Sequence, residues 1–282
     1  MPKQKKMWDN ILTVIMTLLS LLWIYPIVLI LLNSLKIEGS FTTSTVFKLP
    51  TAETFAGLSN YVYGVTKMGF LSSLGYSLVI TVTSVVLILL CCSMTGWYLT
   101  RVNNKLSKFM NLLIVFSMVV PFQMVMFTLS KTADQLKLNT PWDICIIYLG
   151  FGAGLAVFMF TGFMKSVPME IEEAAMIDGC SEMKAMWKVM IPMASPGIIT
   201  VTIFNFMNIW NEYFMALIFA NGNDKIRTLS MGLQNMITSM KYTGDWAGLF
   251  AGVIIVLVPT LILYLLLSEK IVAGITGGAV KG

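Results

Sequence analysis

The chain has 282 residues, of which 57% are apolar and 12% are charged, and its mean hydropathy is +0.80. Soluble domains carry about 25% charged residues and about 45–50% apolar ones, so this composition excludes an ordinary soluble fold. The apolar residues form long unbroken runs, which predicts membrane-spanning helices rather than the alternating strands of a β-barrel. The net charge of +5 fits basic loops beside a membrane and does not indicate a nucleic-acid partner.

The residue types that are missing exclude several kinds of chemistry. The sequence has no histidine, which removes the commonest general base and histidine metal ligands. Its four cysteines show no C-x-x-C spacing, so we expect them to be small apolar residues in helices. No phosphate-binding loop of the pattern G-x-x-x-x-G-K-[ST] occurs. We therefore expect no catalytic residue, no metal site and no cofactor bound by this chain.

Runs without a charged residue predict six transmembrane helices. A helix needs about 20 residues to cross about 30 Å of hydrocarbon, and each run is at least that long. Prolines inside the first, third and sixth runs indicate either kinks beside an aqueous path or ordinary membrane-helix composition. The runs lie at 10–35, 68–100, 109–130, 144–164, 189–211 and 246–268, with the prolines at 26, 121 and 259.

Basic residues predict the orientation of these spans. Three lysines lie within the first six residues, and the apolar run after them is too long for a cleaved signal peptide. Short basic flanks stay in the cytoplasm, and the loop 101–108 agrees because it has three basic residues and no acid. We expect a multi-pass protein of the bacterial plasma (inner) membrane with both termini in the cytoplasm.

The segment 165–188, between the fourth and fifth spans, has the local signals of two short helices. Pro168 suits a first turn, and the three glutamates that follow favour the positive end of a helix. Gly179 is predicted to end this helix in a left-handed conformation, and Ser181 is predicted to cap the next one. Five acids against three lysines disfavour a helix resting on anionic lipid, so the segment is predicted to bind a protein partner.

A spaced motif within this segment resembles a known family. Glu173-Ala174-Ala175 is followed after three residues by Gly179, and after nine more by the sequence V-x-I-P, which ends at Pro192. This pattern resembles the EAA loop of the membrane subunits of bacterial ABC importers that work with a substrate-binding protein. The resemblance implies that these five residues couple the chain to an ATPase subunit.

Two further stretches narrow the resemblance. The sequence N-I-W-N-E-Y-F from residue 208 and the tail 274–282 are similar to carbohydrate-uptake permeases, in particular to the shorter, second membrane subunit of maltose and oligosaccharide transporters. The resemblance implies an all-α integral membrane protein with six transmembrane helices and the type I ABC importer fold. It also implies four segments: a cytoplasmic arm with the first span (1–35), an extracytoplasmic loop (36–69), the type I transmembrane domain (70–265, with the coupling loop at 165–192) and a cytoplasmic tail (266–282).

The resemblance also implies the partners. They are a second homologous permease subunit, two ATPase subunits that bind ATP and Mg, and an extracytoplasmic carbohydrate-binding protein, all in contact with membrane lipid. The implied function is that of a permease subunit in an ATP-driven importer of a carbohydrate, and the subfamily implies an oligosaccharide. An ion-coupled secondary transporter is an alternative, but it would need acids in mid-span. A membrane scaffold is the other alternative, and it would not need the spacing from Glu173 to Pro192.

Polar and aromatic residues at the end of the fifth span are candidates for the substrate path. Buried amides in a membrane need partners, so they face either a wet cavity or other helices, and aromatic rings there could stack on a sugar or anchor the span at the interface. Gln123 and Ser117 on the third span are further candidates. The candidates on the fifth span are Asn205, Asn208, Trp210, Asn211 and Glu212.

Overall fold

The structure, a computed structural model, describes residues 2–43, 45–138, 140, 142–220 and 227–279. Over these residues it is helical and contains no β-strand. A π-helical turn, Met186–Met190, lies between the ninth and tenth helices. The helices are α1 (Pro2–Ser34), α2 (Ser40–Thr43), α3 (Ser59–Met68), α4 (Phe70–Arg101), α5 (Lys105–Ser117), α6 (Phe122–Gln135), α7 (Ile144–Lys165), α8 (Met169–Ile177), α9 (Glu182–Ala185), α10 (Ile191–Met193), α11 (Ser195–Asn211), α12 (Phe214–Ala220), α13 (Leu229–Thr243) and α14 (Trp246–Ala279).

Four helices of the described chain are long and apolar enough to cross a membrane alone. They are Trp8–Ser34 within α1, all of α4, all of α7, and Trp246–Leu266 within α14. Two further apolar runs are bent: α5 and α6 meet at 106°, and Glu182–Met193 meets α11 at 78°. Counting each bent pair as one span gives the six predicted spans.

A proline explains why the third predicted span is not one straight helix. Pro121 has an extended backbone (φ −64°, ψ 135°) at the start of α6. Its ring removes an N–H donor and disfavours the helical conformation of the preceding residue, so the chain turns between α5 and α6. Pro26 and Pro259 lie inside α1 and α14, which continue through them. All three prolines lie within apolar runs of the sequence, but the chain turns at Pro121 and stays helical through the other two.

The described residues form two compact units. One comprises those within Met1–Leu71 and Gly232–Leu261, and the other comprises those within Ser72–Met231 and Ile262–Gly282. In the first unit, no residue of the most apolar stretch of Trp8–Ser34 is buried inside the protein. The side chains of this part of α1 are therefore open to lipid or to another chain.

The segment 36–69, predicted as an extracytoplasmic loop, is tied to the end of α1 and contains α2 and α3. The Asn60 Nδ2 group donates hydrogen bonds to the carbonyls of Ser34 and Lys36, at 2.8 Å each. Lys36 is only 1% exposed, and its Nζ donates to Asn33 Oδ1 at 2.8 Å. Burial lowers the pKa of Lys36. These hydrogen bonds join α3 to the end of α1 within the first unit.

The core of the second unit lies where α4, α7 and α11 pack together. Ile88, Phe160 and Val201, one from each helix, are completely buried. A Cβ atom on Gly96 would lie 2.7 Å from the Cβ of Phe160, so α4 and α7 approach at a distance that a larger residue would prevent. This close packing positions both of the candidate sites described below.

Candidate functional site

The chain turns sharply between α8 and α9, in the segment that carries the E-A-A motif. Gly179 has φ +89°, and its N–H donates to the carbonyl of Met176 at 3.0 Å. Its predicted left-handed conformation is therefore confirmed. Ser181 lies directly before α9, but its side chain makes no capping hydrogen bond, so the predicted cap is not made. Pro168 lies at the start of α8, as predicted.

The motif residues of α8 lie mostly on its outer side. Glu173 and Ala174 are exposed, while Ala175 is half-buried. Ile177 is 86% exposed, an unusual state for a large apolar side chain at a helix end. Pro192, the last motif residue, is exposed on α10. The structure therefore presents an outer face on α8 that consists of Glu173, Ala174 and Ile177 and combines an acid, a small residue and an apolar tip.

Glu172, which directly precedes the motif, points the opposite way. It is 5% exposed, and its carboxylate accepts hydrogen bonds from Trp97 Nε1 at 2.8 Å and from Arg101 Nε at 2.6 Å. The second guanidinium nitrogen, Nη2 of Arg101, forms an ion pair with the same carboxylate. From the sequence, Glu172 was predicted only as one of three acids near the start of a helix, and its partners Trp97 and Arg101 were not predicted.

A cavity of about 180 Å³ lies between α7, α11 and the start of α12. Asn205 is buried, and its Nδ2 donates to the Val201 carbonyl at 2.9 Å. Asn208 lies one turn further along α11 and is exposed. The polar side chains are joined by aromatic, apolar and glycine residues, and the lining is Tyr148, Phe151, Gly152, Leu155, Asn205, Asn208, Ile209, Glu212 and Met215.

Glu212, which directly follows α11, is one of the residues that line this cavity. Its carboxylate accepts a hydrogen bond from the Tyr148 hydroxyl at 2.9 Å and from the Met215 N–H at 3.0 Å. Glu212 thus holds the turn between α11 and α12 and also orients a phenol on α7. Tyr148 was not predicted, although a hydroxyl in an otherwise apolar span signals that a partner must exist.

The structure separates the other predicted path residues from this cavity. Trp210 is buried and stacks on Phe206, with ring centroids 5.8 Å apart. Asn211 is exposed, and its Nδ2 donates to the Met207 carbonyl at 2.8 Å. Gln123 is exposed in the first turn of α6 and is not one of the lining residues. Three of the five candidates on the fifth span therefore meet in one place.

Ser117 lies at a second cavity, of about 400 Å³, between α6 and α7. Its walls are almost entirely apolar, with Phe151 on one side and Leu129 on the other. Such a lining offers few hydrogen bonds to a polar solute, so the smaller cavity with Asn205 and Glu212 is the better candidate for a substrate path.

These features together define a class of protein. Several helices are long and apolar enough to span a membrane, a cavity with four polar side chains in its lining lies between two helices, and the short helix α8 presents an outer face. This combination is typical of the membrane subunit of a transporter. The chain belongs to the family of binding-protein-dependent transport system inner membrane components, whose profile matches residues 90–268.

Individual relatives agree with this assignment. The chain is 34% identical over 96% of its length, and 96% of the relative's, to a probable starch degradation products transport system permease protein, AmyC, of Thermoanaerobacterium thermosulfurigenes. It is 30% identical over 92% of its length, and 89% of the relative's, to the sulfoquinovosyl glycerol transport system permease protein SmoH of Agrobacterium fabrum. It is 29% identical, over 96% of both chains, to the arabinooligosaccharides transport system permease protein AraQ of Halalkalibacterium halodurans.

A solved structure shares the fold. A chain of a bacterial alginate ABC transporter, in complex with an alginate pentasaccharide-bound periplasmic protein, superimposes with a TM-score of 0.60. The match covers 90% of this chain and 94% of that one, at 13% identity, so it supports the fold alone. The predicted all-helical type I importer fold is confirmed. The chain is a transport permease of the inner membrane and not an enzyme, and neither the ion-coupled nor the scaffold alternative is supported.

Proposed function

We propose that this chain is one of two membrane subunits of an ATP-driven carbohydrate importer, with oligosaccharides as the substrate class. The observation that carries the proposal is the cavity in which Asn205, Asn208 and Glu212 meet Tyr148 beside the ring of Phe151. Amides and a carboxylate match the hydroxyl groups of a sugar, and an aromatic ring matches its apolar face. The relatives named for starch degradation products and for arabinooligosaccharides support the same substrate class.

The size of the cavity supports a shared path. Pockets that enclose a small ligand usually measure about 300–1,000 Å³, whereas this cavity measures about 180 Å³. The chain alone would hold about one sugar unit, and a second, homologous permease subunit would supply the opposite wall. A soluble carbohydrate-binding protein would deliver the sugar from outside the cell.

The outer face of α8 is the proposed contact with an ATPase subunit. Ala174 leaves room for close approach, Ile177 offers apolar area, and Glu173 is placed to pair with a basic residue of the partner. Two ATPase subunits would bind ATP and Mg, and their closure would move α8. Gly179 and Pro192, which both follow α8 in the chain, would set the direction of the chain after this contact.

Two asparagines on α11 test the substrate path. We expect Asn205→Ala and Asn208→Ala each to lower uptake about fivefold at limiting sugar, because a lost hydrogen bond is worth about 1 kcal/mol. Uptake is measured in proteoliposomes with the sugar that mass spectrometry identifies on the co-purified binding protein. Asn211→Ala is the matched control, since Asn211 lies on the same helix but does not line the cavity.

Two outcomes would contradict the proposal. Equal uptake in all three asparagine variants would remove α11 from the path and leave its amides as links between helices. A co-purified binding protein that carries no carbohydrate would overturn the substrate class.

The proposed orientation has both termini and α8 in the cytoplasm and the segment 36–69 outside. In a variant without the four native cysteines, we expect Glu53→Cys to react with an impermeant maleimide in intact cells and Lys105→Cys to react only after lysis. Both positions are exposed in the protein, so membrane sidedness decides the result. Labelling of Lys105→Cys from outside would reverse the orientation.

A further inference from the structure

The carboxylate of Glu172 is buried where α8 meets the end of α4. The Glu172 side chain is 7% exposed and that of Arg101 is 14% exposed. Both carboxylate oxygens are used, one by Arg101 and the other by Trp97. Trp97 and Arg101 are four residues apart and thus lie on the same side of α4. Two donor side chains of α4 therefore bind the single Glu172 carboxylate of α8.

Arg101 also contacts the chain on both sides of α8. Its Nη2 donates to the carbonyl of Val167, just before α8, at 3.3 Å. The same nitrogen lies 3.7 Å from the sulfur of Met190, at the end of the π-helical turn. Met190 is completely buried, and Val167 is 7% exposed. One guanidinium thus joins the last turn of α4 to three successive parts of the segment between α7 and α11.

Neighbouring residues of α8 have opposite environments. Glu172 is buried against α4, whereas Glu173 is exposed on the outer face. A helix of nine residues is too short to be stable by itself in water, so its position depends on what it packs against. Ile171 adds an apolar contact with the core of the second unit. The polar cluster fixes the orientation of α8 against α4, because a planar guanidinium and an indole N–H hold the carboxylate in one geometry.

We infer that Arg101, Glu172 and Trp97 are positioning residues that fasten α8 to the end of α4, so that a force applied to the outer face of α8 is passed directly to that span. This inference rests on the proposed contact between α8 and an ATPase subunit. By this inference α4, which packs next to the fifth span, is the membrane helix that first receives the motion of α8. The cluster makes α8 and the last turn of α4 a single mechanical element.

A distance measurement tests the fastening without any ATPase. Nitroxide labels on Leu90 of α4 and Ile177 of α8, both exposed, are introduced into the full chain without native cysteines in lipid nanodiscs. We expect a narrow distance distribution in the parent protein and a clearly broader one in Glu172→Gln and Arg101→Gln. Glu170→Gln is the matched control, because Glu170 is an exposed acid of the same helix outside the cluster.

The double variant Glu172→Gln/Arg101→Gln distinguishes the loss of this contact from misfolding. Each single change leaves one buried group without its opposite charge or its partner, which can unfold the segment. The double change leaves no buried charge in this cluster and should insert normally, yet it lacks the bond between the guanidinium and the carboxylate. A distribution in the double variant as narrow as in the parent would overturn the fastening.

Coupling is measured in the reconstituted transporter as sugar uptake per ATP hydrolysed. We expect the double variant to assemble with the ATPase and hydrolyse ATP, but to transport about tenfold less sugar per ATP, a change that corresponds to about 1.4 kcal/mol. Glu170→Gln should keep the parent ratio. A parent ratio in the double variant would overturn the role in coupling. Failure of the unchanged chain to bind an ATPase would instead overturn the proposed function, and the label distances would still decide whether α8 is fastened to α4.

Discussion

Gly179→Val is expected to leave the subunit in the membrane but to abolish most of the stimulation of ATP hydrolysis by the binding protein. The backbone at Gly179 has φ +89°, and among the described residues, apart from its two chain neighbours, no atom lies within 4 Å of the place a Cβ would occupy. The effect of valine would thus come from the backbone conformation and not from a clash, at a cost of about 1–2 kcal/mol. The strained turn would move α8 away from the position at which its outer face meets the ATPase. Stimulated ATPase activity and sugar uptake in proteoliposomes measure this effect.

Gly179→Asn is the matched control for that experiment. Asparagine adopts the left-handed conformation far more readily than a β-branched residue, so this variant should keep most of the stimulation. Glu173→Ala, which removes an exposed acid without changing the turn, should weaken binding of the ATPase by loss of charge. Normal assembly, stimulation and uptake in both Gly179→Val and Glu173→Ala would show that this segment does not couple the subunit to ATP hydrolysis.

Gly152→Val is expected to reduce sugar uptake at least about tenfold, the change that corresponds to about 1.4 kcal/mol. A Cβ at this position would lie 2.6 Å from Ile88 Cδ1 and 2.9 Å from Asn205 Oδ1. Ile88 is completely buried and has little room to move, so the added side chain would displace Asn205 and fill the cavity. Uptake kinetics in proteoliposomes, beside the amount of assembled complex, separate a blocked path from a failure to fold.

Gly150→Val is the control on the same helix, because no described atom beyond the adjacent helix backbone lies within 4 Å of its Cβ position. It should insert and transport as the parent does. If Gly152→Val also transports normally, the cavity between α7 and α11 is not the route of the sugar. If both variants fail to assemble, α7 does not tolerate valine in this region, and Gly152→Ala against Gly150→Ala repeats the comparison with a smaller side chain.

The features that were predicted correctly depend on local sequence. Charge-free runs of about 20 residues can satisfy their backbone hydrogen bonds in a membrane only as helices, which is why composition alone predicts the fold class. The turn at Gly179 has a local cause as well, because φ +89° strongly favours a residue without Cβ. The spacing from Glu173 to Pro192 identified the family because all the residues that carry it lie in one stretch of the chain.

The features that were missed depend on residues far apart in the chain. Glu172 meets Trp97 and Arg101 across 75 and 71 positions, and nothing in the segment itself distinguishes its carboxylate from that of Glu173. Successive residues of a helix are rotated by about 100°, so Glu172 faces α4 while Glu173 lies on the surface.

The same distinction applies to the substrate path and to the bent third span. Polar and aromatic residues lie together in the sequence of the fifth span, but the fold buries Trp210 away from the cavity. Packing of α11 against α7 brings Asn205 and Glu212 into one cavity with Tyr148. The amino-acid sequence by itself therefore determined a helical membrane permease with a glycine turn after the E-A-A motif. Only the tertiary structure decided which polar groups face one another, because the contact between two helices depends on their relative rotation and depth, which no local pattern encodes.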